Sequence, residues 1–504
     1  MPAYYLEIVV IALGLILLLL DAFVPGQDKR WIGKVGVLGL LVVFVMNLSA
    51  TGANGSESVF WNFYTYEAGS FAGFYKGIAI FTTIMVLLMS LEYHPVLRSQ
   101  LEPSHAGGEF YVLPLFTCAG LMWMASATDL ISIFVSLELV TISFYVLVTF
   151  TRRKAGALEA GVKYLILGAL STGFMVYGIA WIFGVTGETN LEAIQQLLGD
   201  AHASADISRP ALLLAFGLIL VALAFKIGAV PFQIWQPDVY QGAPTPITAY
   251  LSIASKSAAF IILLRIVEPF LHSEAISGNV LWILSILAGA TILFGSLIAL
   301  TQDNIKRLLA YASMSHAGVL LMAIACSPAK DAATALGPDT AISFNLAAYM
   351  LSASLAFFVI CIVRAQLEGE EVDTFRGLGR RSPFLAFSLT IAAAGLAGVP
   401  LTAGFVGKFL VFRTAVIAES WWLLGIAVLA AVSGFYYYLK VVRMMYFSGG
   451  KEDEEAEPLK VSTLSKIAML ALIGGILYYG VAFGQLLKTG QDSEQAAVED
   501  VVHP

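Results

Sequence analysis

Apolar stretches long enough to cross a bilayer recur along the whole sequence, and they limit its fold more than any other feature. A membrane-spanning helix needs about 20 apolar residues, far more than a barrel strand. In lipid, only helices and closed barrels satisfy all their backbone hydrogen bonds. Charged residues make up 12% of the 504 residues, against about 25% in soluble domains. The sequence therefore predicts an all-α polytopic membrane protein.

These stretches predict about fourteen membrane spans. With both termini placed outside, most loop lysines and arginines, Lys306 among them, fall on the inner side, as the positive-inside rule requires. Residues 1–20 lack a basic segment and a cleavage site, so we expect them to remain as the first helix. The predicted spans are 4–24, 31–49, 73–92, 109–127, 130–150, 159–185, 210–235, 244–267, 279–300, 306–326, 341–364, 384–411, 420–446 and 464–487.

Two spans carry a similar interruption. The seventh contains KIGAVPFQIW around Pro231, and the twelfth contains GLAGVPLTAGFVGK around Pro400. A proline removes a backbone donor and breaks a helix, and paired broken helices in corresponding positions point to an ion or substrate site. Because the two lie five spans apart, a repeated five-helix unit would place its copies in opposite orientations. The alternative is that Gly-Val-Pro is simply common in membrane helices.

Lysines inside the spans are the second unusual feature. A lysine in the middle of a membrane helix costs roughly 2.5–3.5 kcal/mol on insertion scales. Lys226, Lys256 and Lys408 nevertheless lie within spans, close to the two interruptions. We interpret them as parts of an ion path. Lys76 and Lys440 lie near span ends, where we expect them to reach the interface.

Glu138 on the fifth span is predicted to pair with Lys226, because a carboxylate in an apolar run needs a partner. Moving the two apart would favour release of a proton from the lysine. Lys163 lies four residues after Glu159. It therefore forms either a local ion pair on one helix face or part of the charge environment of Glu138.

His316 on the tenth span can exchange protons at physiological pH, because the pKa of an unperturbed imidazole is about 6.5. The alternative is a static hydrogen bond to a serine or carbonyl. Ser252, Ser255 and Ser257 flank Lys256 and could order water beside it. The sequence shows no iron–sulfur, haem or nucleotide-binding pattern, and its net charge of −7 lies mostly in loops and the tail. These features suggest ion movement without redox chemistry or nucleic-acid binding in this chain.

The block FKIGAVPFQIWQPDVYQGAPTPITAYLSIASK resembles the signature of the antiporter-like subunits of respiratory NADH:quinone oxidoreductase (complex I), and its PDVYQGAPTP form is most similar to the subunit N type. The segments EAGVKYLILGALSTGF, RLLAYASMSHAG and GVPLTAGFVGKF resemble the corresponding parts of that family. The likeness covers roughly residues 70–450. Gln233 departs from the pattern, because relatives often have histidine there, and this weakens a relay role at that position.

The resemblance implies two inverted five-helix repeats, over spans 4–8 and 9–13, each with a proline-broken helix. The regions would be the first three helices (1–108), the two repeats (109–267 and 279–446), and a loop, last helix and acidic tail (447–504). It also implies a proton path formed by Glu138, Lys163, Lys226, Lys256, His316 and Lys408. In that path Lys256 connects the two halves, and Lys408 lies toward the outer exit.

The resemblance further implies no cofactor in this chain, with FMN, iron–sulfur clusters and a quinone used in other subunits. The partners would be other membrane subunits of complex I, including neighbouring antiporter-like subunits, in a bacterial plasma (inner) membrane with both termini on the periplasmic side. Three alternatives stay open. They are a subunit of a multisubunit cation/proton antiporter, a non-pumping scaffold subunit, and a subunit of a related photosynthetic complex that takes electrons from ferredoxin.

Overall fold

The structure is a computed structural model, and it describes most of the chain. The described residues are 4–24, 28–51, 58–60, 64–66, 70–101, 107–200, 207–273, 275–327, 337–448 and 457–482. The predicted acidic tail lies outside them.

Helices make up nearly all of the described structure, and one short strand pair accompanies them. β1 (Ser58–Phe60) and β2 (Tyr64–Tyr66) pair antiparallel. In chain order the helices are α1 (Tyr5–Phe23), α2 (Arg30–Thr51), α3 (Ser70–Gln100), α4 (Glu109–Ser126), α5 (Leu130–Val148), α6 (Ala155–Thr186), α7 (Leu191–Gly199), α8 (Arg209–Ile227), α9 (Trp235–Gly242), α10 (Thr245–Tyr250), a π-helical turn (Leu251–Ser255), α11 (Lys256–Leu271), α12 (Ser277–Ala299), α13 (Ile305–Ala325), α14 (Pro338–Leu367), a 3-10 turn (Val372–Phe375), α15 (Leu378–Arg381), α16 (Pro383–Ala397), α17 (Ala403–Ile417), α18 (Trp421–Phe447) and α19 (Thr463–Val481).

The all-α membrane fold is confirmed. Within the described residues, thirteen helical segments are long and apolar enough to cross a membrane. The remaining predicted span, 384–411, is divided between the shorter helices α16 and α17. The predicted span 210–235 is too long as a single helix, because α8 ends at Ile227 and α9 begins only at Trp235.

Burial separates interior helices from those at the periphery. In α13 and α14, 94% of the apolar window is buried, against 28% in α1, α6 and α19. A helix that is apolar on all sides and buried belongs to the interior of a large protein. His316, a predicted residue of the proton path, therefore lies on α13, one of the most buried helices that the structure describes.

The chain divides into two compact units. The first consists of Met1–Val280, Asn304–Ala310 and Ile360–Glu370, and the second of Leu281–Asp303, Tyr311–Val359 and Glu371–Pro504. Glu138, Lys163, Lys226 and Lys256 belong to the first unit. His316 and Lys408 belong to the second.

Lys76 is buried, although its position near a span end predicts a side chain at the interface. It is 2% exposed, and its Nζ lies 2.9 Å from Oε1 of Glu7 on α1. A buried charge is tolerated when it is paired. This ion pair therefore joins α1 to α3 inside the first unit.

Candidate functional site

The first helix break lies between α8 and α9. Gly228 ends α8 with a left-handed backbone (φ 74°, ψ 36°), and a side chain there would collide with the amide of Gln236. The N–H of Ala229 donates to the carbonyl of Ala224 at 2.8 Å, which closes the last turn. Pro231 then follows, and it has no N–H with which to continue the helix.

An indole completes this break from the α9 side. Trp235 donates its Nε1–H to the carbonyl of Phe225 at 2.8 Å. The same carbonyl also accepts a hydrogen bond from the N–H of Gly228 at 3.2 Å. The indole therefore adds a second hydrogen bond to it, and a typical hydrogen bond contributes about 0.5–1.5 kcal/mol to stability. Gln233 nearby is buried, and its Oε1 has no hydrogen-bond partner among the described residues.

Lys226 and Glu138 each have a hydroxyl partner. Lys226, in the last turn of α8, is buried and donates to the hydroxyl of Thr141 on α5. Glu138, one turn earlier on α5, accepts a hydrogen bond from Thr172 on α6 at 2.8 Å. Among the described residues the predicted ion pair of Glu138 with Lys226 is therefore not formed, although the two charges lie near enough to interact. Thr141 takes the place expected for the carboxylate.

Lys163 lies in a cluster of ions that centres on Asp238. Its Nζ is 2.7 Å from Glu159, the local pair considered from the sequence, and 2.6 Å from Asp238 on α9. Arg307 at the start of α13 approaches the second oxygen of Asp238 at 2.8 Å. Burial raises the pKa of the Asp238 carboxyl, but the hydrogen bonds from Lys163 and Arg307 outweigh it and hold this pKa below its usual value. The cluster joins α6, α9 and α13.

Lys256 begins α11 directly after the π-helical turn Leu251–Ser255. It is 2% exposed. Such turns are rare and occur frequently at functional sites. Of the neighbouring serines that we expected to order water, Ser257 donates its hydroxyl to the carbonyl of Ile253 at 2.8 Å. That hydroxyl is therefore used by its own helix.

The second break repeats the backbone geometry of the first. Gly398 ends α16 in the left-handed region (φ 83°, ψ 47°). The N–H of Val399 donates to the carbonyl of Ala394 at 2.9 Å, and Pro400 follows. Both interruptions therefore use a glycine, a closing hydrogen bond and a proline in the same order.

The two breaks differ in the group that satisfies the freed carbonyls. At the second break Lys408 on α17 donates from Nζ to the carbonyls of Leu396 at 2.9 Å and Ala397 at 2.7 Å. A cation at the C-terminus of a helix is favoured by the helix dipole. The indole of Trp235 at the first break binds the carbonyl three residues before Gly228, whereas Lys408 binds the carbonyls one and two residues before Gly398. Unlike the indole, the amine of Lys408 can gain and lose a proton.

His316 and Lys408 line one cavity in the second unit. The Nε2 atom of His316 lies within hydrogen-bond distance of the Oδ1 atom of Asn345 on α14. The imidazole also stacks on the ring of Tyr349, with centroids 4.3 Å apart. The structure therefore brings two of the predicted residues to a single cavity, and the partner of the histidine is a side-chain amide instead of the serine or backbone carbonyl considered from the sequence.

Lys306 is a buried lysine, although the sequence places it in a loop. It is 0% exposed. Its Nζ lies 3.0 Å from Oε1 of Glu370 and 2.9 Å from the carbonyl of Ala243, just before α10. Its position at a span end gave no sign of this, because both partners are distant in sequence.

The described residues hold no group of three or more His, Cys, Asp and Glu side chains close enough to bind a metal ion. The cysteines Cys118, Cys326 and Cys361 are buried free thiols. The ionisable groups at the two breaks, Lys226 and Lys408 among them, are chemically able to bind and release protons.

The sequence matches a known protein family and close relatives within it. The family model described as NADH:quinone oxidoreductase/Mrp antiporter, TM, matches residues 127–434. NADH-quinone oxidoreductase subunit N of Trichlorobacter lovleyi is 39% identical over 493 residues, which cover 97% of this chain and 95% of the relative. The protein of the same name from Anoxybacillus flavithermus is 37% identical over 450 residues, covering 88% and 87%.

Solved structures agree with these relatives. A chain of respiratory complex I from Thermus thermophilus with bound aureothin has a TM-score of 0.75 and 28% identity, covering 96% of this chain and 98% of that one. A chain of the Mrp complex from Dietzia sp. DQ12-45-1b has a TM-score of 0.78 at 20% identity, covering 97% of each; this second likeness concerns the fold alone. Since the family model spans more than half of the sequence and the relatives match nearly its full length, the chain belongs to the NADH:quinone oxidoreductase/Mrp antiporter family, among the NADH-quinone oxidoreductase N subunits.

Proposed function

We propose that this chain moves protons across the bacterial inner membrane as a subunit of NADH:quinone oxidoreductase, driven by redox chemistry in other subunits. The observation that carries the proposal is the presence of buried or half-buried ionisable side chains at both helix breaks of a multi-pass membrane protein. Such groups are rare within membranes and are retained mainly for ion pathways and proton relays.

The proposed path uses the residues in a fixed order. Glu138 and Lys226 act first, Lys256 connects, and His316 and Lys408 follow. Thr141 supplies the acceptor for the Lys226 ammonium. Approach of the Glu138 carboxylate favours the charged lysine, and its withdrawal favours proton release.

Lys163 takes a supporting place in this scheme. Its contacts to Glu159 and Asp238 tie α6 to α9, the helix that follows the first break. We propose that Lys163 keeps α9 in position beside Lys226 and thereby sets the charge environment of the first half of the path.

The proposal also includes the orientation of the chain in the membrane, its internal repeats and the location of the redox cofactors. Both termini lie on the periplasmic side, and two five-helix repeats over 109–267 and 279–446 have opposite orientations. The chain holds no redox centre, and FMN, iron–sulfur clusters and the quinone are bound by other subunits. The matching glycine, hydrogen-bond and proline order at Pro231 and Pro400 supports the repeats.

The surroundings of Glu138 support a neighbouring membrane subunit as partner. Glu138 is only half-buried, and Val135 and Ile142, about one turn to either side, are exposed. A carboxylate that faces lipid at membrane depth is costly. A second membrane subunit that covers this face of α5 removes that cost.

The cation/proton antiporter and the non-pumping scaffold are the rival functions. The curated relatives favour complex I, since NADH-quinone oxidoreductase subunit N of Trichlorobacter lovleyi is 39% identical over 97% of this chain. A scaffold needs no protonatable side chains at its helix breaks, and each of the two breaks has a lysine within hydrogen-bond reach of an interior acceptor.

The test is Lys226→Ala in the assembled complex, reconstituted in vesicles and supplied with NADH and quinone. We expect proton pumping to fall by about tenfold or more, which is a barrier increase of at least about 1.4 kcal/mol. Lys440→Ala is the matched control, because this membrane lysine pairs with Asp303 at 2.9 Å away from the breaks. Normal pumping by an assembled Lys226→Ala complex would contradict the role of the lysine, and normal pumping after replacement of Lys226, Lys256 and Lys408 together would favour the scaffold.

A further inference from the structure

A polar face of α14 lies against both halves of the second broken helix. Asn345, Tyr349 and Ser352 are spaced by four and three residues, which places them on one side of the helix. All three are buried. The two functional side chains of this unit, His316 and Lys408, come from helices on either side of this face.

Two glycines of the broken helix make room for these polar groups. A Cβ atom on Gly407 would lie 3.2 Å from Nδ2 of Asn345, and Gly407 directly precedes Lys408. A Cβ atom on Gly395 would collide with the hydroxyl of Ser352. Gly395 directly precedes Leu396, whose carbonyl accepts a hydrogen bond from Lys408. Asn345 and Ser352 of α14 therefore pack against the residues that directly precede Lys408 and its acceptor Leu396.

Asn345 is the member of this face that connects the histidine with the lysine. Its Oδ1 pairs with Nε2 of His316, while its Nδ2 is directed at Gly407 and has no hydrogen-bond partner among the described residues. A carbonyl oxygen can only accept a hydrogen bond. The nitrogen Nε2 must then carry a hydrogen, which leaves Nδ1 as the basic atom of the neutral ring.

We propose that Asn345 is a positioning residue of the proton path, which fixes His316 as the Nε2–H tautomer so that protons are exchanged at Nδ1 with Lys408. This inference rests on the proposed function. In the charging step an O–H bond of a hydronium ion in the cavity breaks, an N–H bond forms at Nδ1, the ring becomes an imidazolium and a water molecule is left. In the discharging step the Nδ1–H bond breaks, and the proton passes through water to the neutral amine of Lys408, which becomes an ammonium. The shared cavity offers about 30 Å³ for the centres of water molecules, and one water needs about 10–15 Å³ of such space.

The other titratable groups near the imidazole of His316 differ in charge from the carboxylate that the test below introduces at position 345. The groups that line the same cavity are Lys408 on α17, Tyr349 on α14, and Tyr437 and Tyr438 on α18. None of these is a carboxylate. A carboxylate placed at position 345 would therefore be a new negative charge beside His316. A change in the pH profile of pumping can then be assigned to this carboxylate and not to the groups that already line the cavity.

The experiment compares Asn345→Leu and Asn345→Asp in the assembled, reconstituted complex, with pumping measured between pH 6 and pH 9. We expect the Leu variant to pump about tenfold more slowly. The nearly isosteric Asp variant keeps the acceptor, and because its charge favours the imidazolium, we expect pumping to be retained with a pH profile shifted upward by about one unit. A His316→Asn background should keep only slow residual pumping, and the pH profile of that residual pumping should be the same with and without the Asp variant.

Three results would overturn the inference. They are wild-type pumping by the Leu variant, equal losses with unshifted profiles in both variants, and a shift that persists without His316. If the Leu variant fails to assemble, the Asp variant with and without His316 decides alone. A wild-type complex that pumps, and loses pumping in Lys226→Ala, keeps the proposed function whatever the Asn345 variants do, so the two failures are distinguishable.

Discussion

The buried Lys306 gives the sharpest prediction about stability. Its ammonium contacts the Glu370 carboxylate at 3.0 Å and the Ala243 carbonyl at 2.9 Å, and the lysine has no exposed surface. The change Lys306→Met keeps the apolar stem and removes the charge. Glu370 is then left with Arg364, whose nearest nitrogen is 3.4 Å away. We expect the start of α13 and the loop at Glu370 to open more often, because this ion pair joins the two segments beside the hydrogen bond from the N–H of Ile305 to the carbonyl of Glu370.

The size of the effect follows from the burial of both partners. Removal of one partner of a buried ion pair costs about 3–5 kcal/mol, whereas replacement of both by apolar groups of similar size is often neutral. Since about 1.4 kcal/mol corresponds to a factor of ten, the single variant should lose roughly two to three orders of magnitude in local protection. The double variant Lys306→Met with Glu370→Leu should recover most of it.

Hydrogen–deuterium exchange of the purified complex measures this directly. The N–H of Ile305 donates to the carbonyl of Glu370 at 2.9 Å, so peptides that contain residues 304–310 report opening of this contact. Lys440→Met is the control, because its partner Asp303 is largely exposed and exposed pairs contribute about 0–1 kcal/mol. A double variant whose loss equals the sum of the two single losses would refute the reasoning.

Three further predictions concern the breaks and the ion clusters. Trp235→Phe removes the indole donor from the Phe225 carbonyl, which keeps the N–H of Gly228 as its second donor. The loss of one hydrogen bond should lower stability by about 0.5–1.5 kcal/mol, seen as faster heat inactivation, and an unchanged rate would contradict the role of the indole. Asp238→Asn should cost no more than about 1 kcal/mol, because its ion pairs are partly exposed, and a much larger loss of thermal stability would contradict this. Burial raises the pKa of the Glu370 carboxyl, but Lys306 and the other basic groups nearby outweigh burial and hold this pKa below its usual value of 4.5. The ionised carboxylate therefore stabilises the fold fully above about pH 4.5, and this stabilisation is lost as the pH falls through the lower pKa of the folded state. Heat inactivation should accelerate over that pH range in the wild type and change less in Glu370→Gln.

Periodicity and composition were sufficient for the fold, and they also single out Lys226, Lys256 and Lys408 as candidates for the proton path. Each of these signals is local: an apolar run, a charge that lipid disfavours, or a proline that ends a helix. The ends of the broken helices were less accessible, because the exact end depends on which residue adopts a left-handed backbone. Gly228 and Gly398 adopt this conformation and end their helices two or three residues before Pro231 and Pro400.

The partners of the charges could not be read from the sequence. A threonine in a membrane helix usually bonds to its own backbone, so nothing in the pattern singled out Thr141 for Lys226 or Thr172 for Glu138. Lys306 resembled other lysines at inner span ends, and only the fold brings the distant Glu370 to it. Hydrogen bonds between distant segments depend on helix rotation and packing, which neither periodicity nor spacing specifies.

The π-helical turn at Leu251–Ser255 sets the direction of Lys256 relative to α10. Each residue of an α-helix advances the direction of its side chain by about 100°, and a π turn accommodates one extra residue within an otherwise regular helix. Conversion of this turn to α-helix at constant length would therefore turn Lys256 by about 100° relative to α10. Deletion of one residue within the turn would also give an unbroken α-helix, but it would leave Lys256 facing the same way. The direction of Lys256 should therefore tolerate a one-residue deletion here better than substitutions that straighten the turn.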